Sequence, residues 1–171
     1  MMNYVFNDFL THNKIDGLLL QARWETRDLN ALTETIQWAD QHGVPVILVG
    51  PYPEYDAPLP RLLGYSIAWH EPDYAARHRL TEPPKMDRLL QQLAESRWHV
   101  PYISLYRALC HDGTCAEYAD SARSVPMLTD ADHFTEPGSV YAMKAAVSQQ
   151  GLNNTVFKSS ASINSSAQAN D

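Results

Sequence analysis

Seven consecutive residues, Val44-Pro45-Val46-Ile47-Leu48-Val49-Gly50, carry no polar side chain. A strand with one wet face alternates apolar and polar residues, so a continuous apolar run predicts a strand buried on both faces, as in a parallel sheet covered by helices. Ile15 to Ala22 and Val100 to Leu105 read as two further strands of this kind. Between them the spacing turns helical. Leu29, Leu32, Ile36 and Ala39 recur at three- and four-residue steps, Asp28 is a candidate cap, and Gly43 stands where a C-terminal glycine ends a helix. Val5, Phe6, Phe9 and Leu10 predict a helix over 2–12, Leu59 to Ile67 a short one, and Met86, Leu89, Leu90 and Leu93 a longer one ending near Trp98. Helices alternating with buried strands place the chain in the doubly wound α/β class. No internal repeat is visible.

Charge and length narrow the function. Thirteen Lys and Arg against twenty Asp and Glu leave a net charge of −7, which disfavours nucleic acid as a partner. No apolar stretch approaches the roughly 20 residues that cross a bilayer. Met1-Met2-Asn3-Tyr4 opens no secretory signal, so the chain expressed alone is expected in the cytoplasm. Of the 171 residues, 1–150 read as one domain. Residues 151–171 lose periodicity, become rich in Ser, Asn and Ala, and read as a disordered tail.

Two places invite chemistry. Pro51-Tyr52-Pro53-Glu54-Tyr55 follows the second strand at its carboxyl end, where open α/β sheets place their ligands. Asp130 stands three residues before His133, ahead of the helical run Val140 to Val147. In that arrangement the carboxylate can hold Nδ1 of the ring and leave Nε2 to take a proton. The same residues also suit a structural turn, with Asp130 and Asp132 as turn formers, Thr135 as the helix cap and Glu136 at the positive end of the helix dipole. Cys110 and Cys115 flank the turn-forming His111-Asp112-Gly113-Thr114, a spacing compatible with a disulfide and equally with two free thiols. Neither these cysteines nor the histidines show zinc-finger spacing, and no cofactor is expected.

The order of these segments resembles the SGNH hydrolase-like domain carried at the C-terminus of membrane acyltransferase-3 proteins. The resemblance spans residues 3 to 147. It rests on Asp16-Gly17-Leu18-Leu19-Leu20-Gln21-Ala22-Arg23-Trp24, on Val44 to Pro51, on Val100 to Leu105 with Cys110 to Cys115 after it, and on Leu128-Thr129-Asp130-x-x-His133-Phe134-Thr135-x-x-Gly138-Ser139. It implies a flavodoxin-like three-layer parallel sheet and acyl transfer to, or ester hydrolysis on, cell-envelope carbohydrate. It further implies His133 as base, Asp130 as its orienter, Cys110–Cys115 as a disulfide, and a place on the periplasmic face of the inner membrane beside an acyltransferase domain in the parent protein.

One part of the family pattern is missing. The nucleophilic serine belongs to a Gly-Asp-Ser block at the end of the first strand, and these 171 residues contain no Gly-Asp-Ser. The expectation is therefore a domain truncated at its N-terminus, inactive alone, with an apolar sheet edge exposed beside the strand at Leu18-Leu19-Leu20. The asparagine that would complete the oxyanion hole is replaced around Arg23 and Trp24, of which Arg23 could act by charge. Ser66, Ser104 and Ser139 are poor substitutes for the nucleophile, falling in a predicted helix, a strand and a helix start. His42 and His70 offer no ligand spacing, and Trp38 and Trp69 read as packing before sugar platforms. The alternative function is a carbohydrate-binding or interaction module without turnover.

Overall fold

The protein is described by a computed structural model covering residue 8, residues 10–13 and residues 15–149. Of the helix expected over 2–12, only Asp8 and the turn Leu10–His12 lie among these residues, and the tail at 151–171 lies outside them.

Three parallel strands form the sheet in the order β1 (Leu18–Leu20), β2 (Val46–Val49), β3 (Tyr102–Ile103), with Leu19 opposite Ile47 and Leu48 opposite Tyr102. The period of two in β2 divides the core. Val46 and Leu48 face one layer, packing with Leu32, Ile36 and Ala39 of helix α1 (Leu29–Gln41) and with Leu90 and Trp98. Ile47 and Val49 face the other, against Leu105, Ala108 and Ala146. All four residues of β2 are buried, as a central parallel strand requires. At about 1.5–3 kcal/mol for each buried aliphatic side chain, this strand is the main anchor of the sheet.

The remaining helices are α2 (Leu59–Ala68), α3 (Tyr74–Arg77), α4 (Glu82–Leu93), α5 (Leu105–Leu109) and α6 (Glu136–Gln149). A π-helical turn at Ala94–Trp98 extends α4, and His99 leaves it in the left-handed conformation at φ 53°. Gly43, at φ 64°, follows the last turn of α1 as expected. Asp28 stands at the N-cap of α1 as expected, but its side chain makes no cap hydrogen bond to that helix. It closes the 3-10 turn Thr26–Asp28, where its carboxylate accepts from the Glu25 N–H at 2.9 Å.

The strands are shorter than their apolar runs because flanking residues such as Val44 and Val100 pack on the core without joining the ladder. The third strand ends early for a specific reason. Ser104, expected within it, is the N-cap of α5: its hydroxyl accepts from the Arg107 N–H at 3.0 Å and donates to the buried Asp87 carboxylate at 2.7 Å. Beyond α5, β4 (Cys110–His111) and β5 (Thr114–Cys115) form a hairpin turning on Asp112 and Gly113, both at positive φ, and Cys110 is disulfide-bonded to Cys115.

Among the described residues, no strand pairs with the outer edge of β1. Leu19 on that edge is 59% exposed, and Val140, Tyr141, Met143 and Val147 of α6 are exposed as well. A cavity of about 230 Å³ is lined by Leu19, Val49, Tyr52, Phe134, Ser139 and Met143, among others.

Candidate active site

The site grows out of one tight turn. The Asp130 Oδ1 accepts the backbone N–H groups of Asp132 at 3.0 Å and His133 at 2.8 Å, folding 130–133 back on itself. That fold brings the carboxylate to the imidazole, with His133 Nδ1 2.9 Å from Asp130 Oδ2 and 3.1 Å from Oδ1. The structural turn and the contact between Asp130 and the His133 ring are therefore one arrangement. Asp132 approaches from the other side, its Oδ1 3.0 Å from the same Nδ1. Two acceptors at Nδ1 place the ring proton there and leave Nε2 as the basic nitrogen. The His133 side chain is 74% exposed, open to an incoming group.

The turn is fixed to the rest of the fold through its backbone. Thr129 N–H donates to the His133 carbonyl at 2.7 Å, Tyr55 N–H to Ala131 at 3.0 Å, and Leu59 N–H to Asp130 at 2.9 Å. Thr135 caps α6 as expected, its hydroxyl oxygen accepting from the Gly138 N–H at 2.9 Å. Gly138 is obligatory: a Cβ there would overlap the Met127 carbonyl.

Beneath the dyad lies an ion-pair chain that sequence spacing did not reveal. Arg23 donates from Nε to Glu54 Oε2 at 2.9 Å, its Nη2 lies at the same distance from that oxygen, and its Nη1 lies 3.1 Å from Asp132 Oδ2. Glu54 is buried, and burial raises its pKa against the opposing pull of Arg23. Glu54 in turn raises the pKa of Arg23. Asp130 is shifted the other way, below the usual carboxylate range, chiefly by the Asp132 backbone N–H. Tyr52 donates its hydroxyl to the Asp132 carbonyl and packs on Phe134 with centroids 4.3 Å apart; burial pushes its phenol up to about 12. The pointer to Glu54 was present in the sequence as the one carboxylate in the proline-rich loop after β2.

The other sequence candidates have settled roles. Trp24 donates Nε1 to the Val49 carbonyl at 2.8 Å, and the Arg23 donors just described face carboxylates. Ser66 donates to the Glu71 carbonyl and Ser139 to the Glu136 carbonyl, while Ser104, on a strand-to-helix turn, is fully buried. His42 stacks on Trp38 with centroids 4.2 Å apart. Asp130, Asp132 and His133 bring donor atoms within 4.8 Å of one another, close enough for a cation. Arg23 already sets a positive charge on Asp132, which opposes a second cation at the same carboxylate.

No curated protein matches the chain. Among solved structures it is similar to the periplasmic domain of a lipopolysaccharide acetyltransferase from Salmonella ser. Paratyphi A, with TM-score 0.64 and 22% identity over 79% of this chain. It spans 55% of that domain, about half its length. The likeness establishes a shared fold. The family of SGNH domains fused to AT3 domains matches residues 2–147, and the chain belongs to that family.

Proposed function

We propose that this chain carries the acid–base half of an acyl-transfer site for cell-envelope carbohydrate, at the periplasmic face of a membrane acyltransferase. The observation that carries the reading is the 2.9 Å contact between His133 Nδ1 and Asp130 Oδ2 on a loop fixed at the carboxyl end of β2. Such a pair activates a serine. As Oγ bonds to the acyl carbon, its proton passes to Nε2, the carbonyl becomes an oxyanion, and the departing alcohol takes the proton back. An acceptor sugar hydroxyl then repeats the sequence in reverse, losing its proton to Nε2 and regenerating the serine.

These 171 residues contain no Gly-Asp-Ser block, so the chain alone is expected to be inert. The open edge of β1 is the seat we assign to the strand that carries it: among the described residues no strand pairs with that edge, Leu19 is uncovered, and the cavity beside it is lined by Tyr52 and Phe134, next to His133. The oxyanion donors come with that strand in this reading, and Arg23 acts on the acid side by holding Asp132.

The test is fluorophosphonate labelling and p-nitrophenyl acetate hydrolysis by the chain, by a fusion bearing a strand that ends in the family's Gly-Asp-Ser block, and by each with His133→Ala. Turnover is expected only in the fusion, falling by about 10²–10⁴-fold with His133→Ala. Labelling of the unfused chain that disappears with His133→Ala would place the nucleophile within these residues. An inert, well-folded fusion would overturn the reading.

A further inference from the structure

At the far end of α2 from the dyad lies a groove of about 420 Å³, bounded by Ser66, Ile67, His70, Pro72, Tyr118 and Arg123. We propose that this groove is a distal saccharide subsite, holding a neutral sugar ring of a polymeric acceptor whose other end lies at His133. The polymer's role as acceptor rests on the function proposed above; the subsite itself does not.

The walls are pre-formed. His70 and Arg123, one on each of the two chain segments that line the groove, both adopt the left-handed backbone conformation, at φ 58° and 56°, which is uncommon for a residue with a side chain. Asp120 holds the second wall: its carboxylate accepts from the Ser124 and Val125 N–H groups and from the Ser124 hydroxyl, which donates at 2.6 Å. The resulting loop lays the Arg123 guanidinium 4.8 Å over the Tyr118 ring. On the first wall, the Ser66 hydroxyl ties the end of α2 to the Glu71 carbonyl at 2.7 Å.

An aromatic stack is built on Trp69, which lies in sequence between the lining residues Ile67 and His70. Trp69 lies parallel to Tyr65, with centroids 4.7 Å apart and planes 5° apart, and Tyr74 meets both edge-on at 5.1 and 5.8 Å. Being near both members of the stack, Tyr74 sits at its side and not on the face of Trp69 turned away from Tyr65. Trp69 is 54% exposed and its neighbour Ile67 70%. Single exposed apolar residues are ordinary, but a tryptophan held flat by two rings beside a cavity presents a rigid apolar surface.

The chemistry of the lining matches a sugar. A pyranose offers a face of C–H groups, which pack on flat rings, and a rim of hydroxyls, which accept from a guanidinium and donate to Nε2 of His70, whose Nδ1 faces the Ile67 carbonyl. Charge argues for a neutral ring: Arg123 acts on the half-buried Glu117, and the loop that carries Arg123 is itself held by the Asp120 carboxylate, so the guanidinium is matched by acidic groups. A bare anion finds no surplus of positive charge there.

Position supplies the polymer. Leu59 at the start of α2 donates to the Asp130 carbonyl, and the ten residues of α2 carry the chain about 15 Å further to the groove. One sugar ring cannot reach both places; a chain of them can.

Nuclear magnetic resonance of the full chain, titrated with delipidated O-polysaccharide from a smooth Salmonella strain, tests the subsite. The Trp69 Nε1–H and His70 ring signals are expected to shift, and Trp69→Ala and Arg123→Gln each to weaken binding about tenfold or more, while His42→Ala leaves it unchanged. Arg123→Gln alters an exposed side chain, so it remains informative if Trp69→Ala melts early. Groove signals that stay still, shifts confined to the His133 loop, or equal displacement by inorganic phosphate would each overturn the proposal. Turnover by the fusion with a silent groove would sink this inference alone; a binding groove with an inert fusion would sink only the acyl-transfer reading.

Discussion

Arg23 Nη1 lies 3.1 Å from Asp132 Oδ2 while the Nε and Nη2 of the same guanidinium each lie 2.9 Å from Glu54 Oε2, so one cation joins a buried carboxylate to the imidazole's second partner. Removing it strands Glu54. Breaking a fully buried pair costs about 3–5 kcal/mol, but the Arg23 side chain is 59% exposed, so water recovers part of that. Arg23→Met is expected to cost about 1–3 kcal/mol in urea denaturation, and adding Glu54→Gln to restore most of it. Equal losses in the single and double variants would mean that Glu54 is not the group left unpaired.

The two shifted carboxyls titrate in opposite senses. Asp130 has its pKa lowered by the Asp132 N–H, so its contribution to stability is present above the ordinary carboxylate pKa and lost as pH falls through the lowered value. Glu54 has its pKa raised by burial, so its charged form disfavours folding, and stability from this group declines as pH rises through the raised value. Carbon-detected titration of the side-chain carboxyls should place Asp130 below and Glu54 above the ordinary values, near 3.9 and 4.3. Coincident midpoints would show that the turn and the ion-pair chain are not formed in solution.

Asp130 has two duties that substitution can separate. Asn keeps an oxygen for the Asp132 and His133 N–H groups and loses the charge facing Nδ1; Ala loses both. Amide exchange at His133 is expected to remain slow in Asp130→Asn and to accelerate in Asp130→Ala. In the active fusion, both variants are expected to lose activity. Fast exchange in the Asn variant would mean that the charge, and not the acceptor geometry, holds the turn.

Gly138 tests how firmly α6 is seated. Alanine would favour a helix interior by about 1 kcal/mol, but its Cβ would overlap the Met127 carbonyl, a backbone atom that cannot swing aside. Gly138→Ala is expected to destabilise the domain by about 1–3 kcal/mol and lower its melting temperature. An unchanged or higher melting temperature would show that the start of α6 can shift without consequence.

What was legible in the sequence was local. The Val46–Val49 strand, the stop at Gly43, the Asp112-Gly113 hairpin and the Asp130-x-x-His133 pair each depend on residues a few positions apart, where periodicity and turn chemistry act directly. Contacts set by chain crossing were not legible. Arg23 and Glu54 are 31 positions apart and meet only because β1 lies beside β2. Asp87 reaches Ser104 across 17 positions, and that bond helps turn the end of an apolar run from strand into helix cap. Strand lengths failed for a related reason: an apolar residue beyond the ladder packs on the core as well as one within it.

The open edge of β1 makes the final prediction. A parallel strand with Leu19 exposed, beside an α6 face carrying Val140, Tyr141, Met143 and Val147, is a template for another strand, and lysine on such an edge opposes pairing. Sedimentation of the 171-residue chain is expected to show association that grows with concentration and weakens about tenfold or more in Leu19→Lys. The fused Gly-Asp-Ser strand should have the same effect as the lysine, because both act on one edge. A concentration-independent monomer would mean that the edge is already satisfied. Association abolished by Leu19→Lys but untouched by the fusion would place the fused strand somewhere other than β1, and would remove the structural basis for delivering a serine to His133.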